Sequence, residues 1–136
     1  MLKAQQVLKA IRLAAANKRP YLASALYYMT PTESTKIDTM AVSQDWRLYY
    51  NPDFVTQTES SLLVTVMLHE VAHLIRDHAS RAQSLGINRR TAKLWNYAAD
   101  AEINDDLIEE GFSFPGSPIL PSHFAMAANL LAEDYY

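Results

Sequence analysis

The chain has 136 residues, 49% of them hydrophobic and 20% charged, proportions of an ordinary globular protein long enough to bury most of one core without staples. Its net charge of −3 argues against a general nucleic-acid-binding surface. With no cysteine there can be no disulfide and no thiolate metal site, so any bound metal must be held by His, Asp or Glu.

In chain order, Leu2, Val7, Leu8, Ile11 and Ala15 recur at helical spacing and predict an amphipathic helix over the first 17 residues. That segment lacks the unbroken apolar core of a signal peptide, and the missing cysteines fit a cytoplasmic setting. Pro20 is placed as the first residue of a short second helix running to about Met29, with Tyr27 and Tyr28 expected in the core. Residues Thr30 to Thr35 read as a polar loop. Thr39 to Val42 and Trp46 to Tyr50 flank a short turn and predict a β-hairpin, ended by Asn51-Pro52 because proline cannot donate to a sheet. Two strands alone are marginal, so the hairpin must pack on helices or pair with further backbone.

Thr56-Gln-Thr-Glu59 fits a capping box and predicts the start of a central helix near Thr56. From Leu62 to Ile75 its apolar residues point in nearly every direction, which marks a buried helix, one too short to span a bilayer. Within it lies His69-Glu70-Val71-Ala72-His73. Residues four apart on a helix are offset by roughly 40°, so both histidines leave one face and can share a metal. Glu70, roughly 100° from His69, lies beside them, where a carboxylate can take a proton from a metal-activated water. Two core histidines bonded to backbone carbonyls are the bland alternative.

Gly86 ends the following segment, Asn88-Arg89-Arg90 reads as a solvated basic turn, and a third long helix is predicted from about Thr91 through Leu107, stopped by Gly111. After the proline loop of residues 115–121, a last helix is expected from about Ser122 to Tyr136. A catalytic zinc usually has three protein ligands, and the third could come from His78, Asp100, Glu102 or His123. On a continuous helix His78 points roughly 140° away from His73, unless the helix breaks between them. Asp100 falls about 40° from Asn96, on the inward face with Ile103 and Leu107, whereas Glu102 falls roughly 160° from Asp100, toward solvent. Asp100 is therefore the leading third ligand; the alternative is that it only orients a histidine. Asn96 and Asn104 flank it by one turn, and His123 reads as an exposed helix-start residue.

Thr39-Met-Ala-Val42, Leu48-Tyr-Tyr-Asn-Pro52, His69-Glu-Val-Ala-His73 with His78, and Trp95-Asn-Tyr-Ala-Ala-Asp-Ala-Glu-Ile-Asn104 together resemble the metallopeptidase domain that often precedes a von Willebrand A-like domain in longer bacterial proteins. The likeness covers nearly the whole chain. It implies a zincin-like α+β fold, mostly helical with a small sheet beside the central helix, as a single domain over residues 1–136. It also implies zinc at His69 and His73, an acidic ligand from the second motif (here Asp100), and Glu70 as general base. Asn96 stands where the gluzincins, zincins with a glutamate ligand, carry that glutamate.

The leading expectation is thus a zinc peptidase acting on protein or peptide, with no nucleic-acid or membrane partner. Two rivals are a metal-stabilised interaction module without catalysis and a DNA-associated protein. Glu70 speaks against the first, since a purely structural site needs no acid there, and the acidic charge balance against the second.

Overall fold

In the computed structural model, residues 3–136 are described; Met1 and Leu2, the latter placed on the first helix's apolar stripe by its spacing, lie outside them. The first helix, α1 (Ala4–Lys18), buries Leu8, Ile11 and Ala15, the stripe its periodicity requires. Pro20 opens a 3-10 turn (Pro20–Leu22) that leads into α2 (Ala23–Tyr28). Tyr27 and Tyr28 are exposed, correcting their expected place in the core. So short a helix turns one face inward, and Leu26 occupies it. Tyr28 instead packs edge-on against Trp46, ring centroids 5.3 Å apart, and the Arg12 guanidinium lies over Tyr27.

Three strands follow: β1 (Thr30–Glu33), β2 (Met40–Val42) and β3 (Arg47–Tyr50), in sheet order β1-β3-β2. The hairpin forms as expected, Met40 opposite Tyr50 and Val42 opposite Leu48. The segment read as a polar loop is a strand, parallel to β3 with Thr30 opposite Arg47. Its polar residues and Pro31 hide it in the sequence, and proline is tolerated there because β1 is a sheet edge. This third strand supplies the pairing that the hairpin lacked.

The Asn51 side chain accepts the N–H groups of Asp53 and Phe54, at 2.9 and 3.3 Å, and caps a helix missed in the sequence, α3 (Pro52–Gln57). The expected capping box at Thr56 therefore does not form: Thr58 closes α3, and the central helix α4 (Ser60–Ile75) begins after Glu59. Leu63, Met67, Leu68 and Val71 of α4 are wholly or almost wholly buried, packed against α1 and β2. α4 ends at Arg76; Asp77 takes the left-handed conformation (φ 55°), and α5 (His78–Ser84) starts in a new direction. Gly86, at φ 70°, stops α5.

Helix α6 (Ala92–Glu109) lies across α4 and is followed by Gly111. The long final helix expected from Ser122 does not exist. Ala125 and Asn129 have positive φ, leaving a 3-10 turn (Pro121–Phe124) and a short helix, α7 (Ala132–Tyr135). α7 docks on α6, where Ala132 and Tyr135 join Trp95 and Ala98 in a second apolar cluster. The architecture is α+β and mostly helical. Among the described residues no helix is long and apolar enough to cross a membrane.

Candidate metal centre

One turn of α4 separates His69 from His73, and α6 brings Asp100 against both. The Nε2 atoms of the two histidines are 3.0 Å apart; Asp100 Oδ1 lies 3.2 Å from His69 Nε2 and 3.1 Å from His73 Nε2. Three electron-pair donors thus meet in a triangle. A tetrahedral zinc with bonds near 2.0–2.1 Å holds its ligand atoms about 3.3 Å apart, so the donor set and its spacing fit zinc. Among the described residues, His69, His73 and Asp100 form the group of His or carboxylate side chains arranged to hold a metal ion.

Electrostatics follow the same convergence. Burial disfavours a charged His69, but Asp100 and Glu70 outweigh it and raise the imidazole above its ordinary value. In His73 burial prevails, helped by the neighbouring His69 and His78, and the imidazole is held low and neutral. Burial alone would raise Asp100, yet its hydrogen bonds to the two histidines hold it well below the usual carboxylate range. Glu70 behaves oppositely: desolvation, reinforced by Asp100 and opposed by His69, pushes it up to about 7. Among the described residues its carboxylate has no hydrogen-bond partner, and it lines a cavity of about 520 Å³ shared with His69, His73 and Asp100. The residues of β2, with Ser43 and Gln44, line that cavity, as do Trp95 and Asn96 of α6. A second cavity of about 340 Å³, lined by Phe54, Val66, Phe114 and Ile119, meets the cluster at His69 and Asp100. A larger apolar cavity against α1, about 630 Å³, shares no residue with the cluster and offers no comparable donors.

The remaining candidates are sorted by the fold. Asn104 lies on the inward face: its Oδ1 is 2.7 Å from His69 Nδ1, and its Nδ2 donates to the Ile119 carbonyl at 3.0 Å. His123 is exposed, as expected, and its Nδ1 accepts the Leu120 N–H. His78 is buried because the chain breaks at Asp77, and its Nδ1 lies 3.0 Å from His73 Nδ1. Glu102 corrects the sequence reading. It is 5% exposed rather than solvated, bonded to His78, Arg81 and the Ala132 N–H. A helical wheel identifies one inward face of α6, but α6 is covered a second time, by α7 and the α4–α5 junction. The signal available in sequence was the set of unmatched partners Arg76, His78 and Arg81, spaced to meet an acid.

Over residues 3–136 the sequence matches the model of a family described as "putative metallopeptidase domain". It is also similar to an uncharacterized protein of Thermotoga maritima, 25% identical over 154 residues, covering 99% of this chain and 38% of that relative. The chain thus spans well under half the length of that relative. No solved structure matches.

Proposed function

The chain belongs to the family described as "putative metallopeptidase domain", and from that premise we propose that it is a zinc-dependent peptidase, with His69, His73 and Asp100 as metal ligands and Glu70 as general base. The observation that carries this reading is the convergence of three donors, 3.0–3.2 Å apart, beside a buried carboxylate with no hydrogen-bond partner among the described residues. A site built only to hold helices together would be closed by a fourth ligand and would have no use for Glu70.

Bound zinc would supply Lewis acidity, polarising the scissile carbonyl and acidifying a water molecule. Glu70 takes the proton of the attacking water on a carboxylate oxygen and later gives it to the departing amine nitrogen. Its burial beside the cluster places the carboxylate where proton transfer in both directions can occur. Asn104 steadies the His69 ring through Nδ1, leaving Nε2 directed at the metal position. β2 is an edge strand on the wall of the same cavity, which favours an extended peptide laid against it by strand addition.

The test is cleavage of a mixed peptide library by the zinc-loaded chain beside Glu70→Gln. The variant is expected to keep its zinc and lose roughly 10²–10⁴-fold in cleavage rate, the usual contribution of a positioned acid–base group. A Glu70→Gln protein as active as the wild type would contradict the assignment.

A further inference from the structure

A metal-binding imidazole must leave one ring nitrogen unprotonated, and which nitrogen that is depends on the bond made by the other. For His69 the decision is local. The Ile119 carbonyl can only accept, so it fixes the Asn104 amide with Nδ2 toward itself and Oδ1 toward His69. His69 Nδ1 therefore carries a proton, which leaves Nε2 as the metal-facing nitrogen.

His73 has no such acceptor beside its Nδ1. Its Nδ1 faces another imidazole nitrogen, His78 Nδ1, at 3.0 Å, a pairing that by itself fixes neither ring. The choice is made one residue further on. His78 Nε2 lies 3.0 Å from Glu102 Oε1, and that carboxylate is held ionised. Its oxygens also take bonds from Arg81 (Nη1 to Oε1 at 3.2 Å, Nη2 to Oε2 at 2.7 Å), Arg76 (3.3 Å to Oε1) and the Ala132 N–H (2.5 Å to Oε2). An ionised carboxylate only accepts, so His78 must carry its proton on Nε2 and present a bare Nδ1; once zinc takes the place between His73 Nε2 and the Asp100 oxygen 3.1 Å away, His73 then donates from Nδ1 and keeps Nε2 for the metal.

We propose that His78 and Glu102 are positioning residues that impose the metal-binding tautomer on His73 through a hydrogen-bond chain of fixed polarity, anchored by Arg81 and by the first backbone N–H of α7. The inference rests on the reading of His73 as a metal ligand. It assigns the break at Asp77 a purpose, since only that turn swings His78 back onto His73. It also makes the C-terminal helix part of the metal site, although none of its side chains reaches the cluster of His69, His73 and Asp100.

Ring-nitrogen NMR of the full chain, metal-free and zinc-loaded, reads the tautomers directly. The expected result is a bare Nδ1 and protonated Nε2 in His78 in both states, with a protonated Nδ1 and an Nε2 free of protons in His73 once zinc is bound. A His78 protonated at Nδ1 in the zinc-loaded chain overturns the proposal. Zinc affinity, measured against a competing chelator, gives the second readout. His78→Leu, which removes the acceptor, should bind zinc about 10–100-fold more weakly. His78→Asn, whose Oδ1 can still accept from His73, should recover most of that loss, which a merely space-filling role would not allow. Wild-type affinity in His78→Leu overturns the proposal, as does an equal loss in both variants. Should the wild type bind no zinc, the peptidase reading falls, while the His78 tautomer of the zinc-free chain still decides the hydrogen-bond chain, since a His78 protonated at Nδ1 there overturns it.

Discussion

Ionising Glu70 in the metal-free chain works against folding, because burial has raised its carboxyl from an ordinary 4.5 to about 7. A group with a raised folded-state value contributes its full stabilisation below the unfolded value and loses it as pH climbs through the folded one. The metal-free wild type should therefore lose stability from this source between about pH 4.5 and pH 7. Glu70→Gln removes the titration, so its stability relative to wild type should rise across that window, by up to about 3 kcal/mol. Urea unfolding of the two metal-free proteins at pH 5, 6, 7 and 8 measures it, and a pH-independent difference would show that Glu70 does not titrate there. At this scale much was legible in sequence. His69, Glu70 and His73 lie at fixed helical offsets, and Asp100 shares a face with Ile103 and Leu107. Glu102 was not legible, because whether a second face of a helix is covered depends on elements distant in sequence.

The decisive local event in the helices is the stop after α4. Asp77 holds φ 55°, a left-handed conformation that aspartate tolerates better than most residues and glycine adopts freely. Asp77→Gly should leave stability within about 1 kcal/mol of wild type, the gain in local freedom offset by the entropy of the unfolded glycine. Asp77→Val, with a branched Cβ in that conformation, should cost about 1–2 kcal/mol and weaken zinc binding by displacing His78. Thermal unfolding and chelator competition on both variants would check this, and a Val variant equal to the Gly variant would contradict it. Sequence reasoning placed His78 off the metal face on a continuous helix and named a break as the condition for contact. The break itself escaped notice, because Arg76-Asp77 carries neither glycine nor proline. β1 escaped for a related reason: four residues containing Pro31 show no alternation, and parallel pairing with β3 supplies their structure. Asn51-Pro52 was read only as the end of a strand, which hid α3, whereas the Asn51 side chain caps a helix that begins at Pro52.

Across the whole molecule, α6 joins two apolar clusters, Ile103 and Leu107 in one and Trp95, Ala98 and Ala101 in the other. The candidate metal position lies where α6 meets α4, so a bound ion would tie the two helices together. Zinc at 100 times its dissociation constant should add about 2.7 kcal/mol to stability, seen as a rise in Tm that a chelator reverses. A Tm indifferent to zinc would count against a folded-state site. At low pH the account runs the other way. Asp100 and Glu102 are both held well below the usual carboxylate range, by their histidine partners and, for Glu102, by Arg81. Groups depressed in this way stabilise the fold above their ordinary values and lose that contribution as pH falls below about 4. The α+β class and most helices were readable from periodicity and punctuation. The final segment was not, since Ala125 and Asn129 bend a stretch whose Phe124, Ala128 and Leu131 mimic a helical repeat.

Zinc per chain, measured by elemental analysis after stripping and reconstitution in wild type and in Asp100→Ala, tests the central claim most directly. The account predicts about one zinc in the wild type and a large loss of retention in the variant, because two histidines alone make a weak site. Full zinc in Asp100→Ala would contradict the His69–His73–Asp100 assignment, and no zinc in either protein would contradict the metallopeptidase itself.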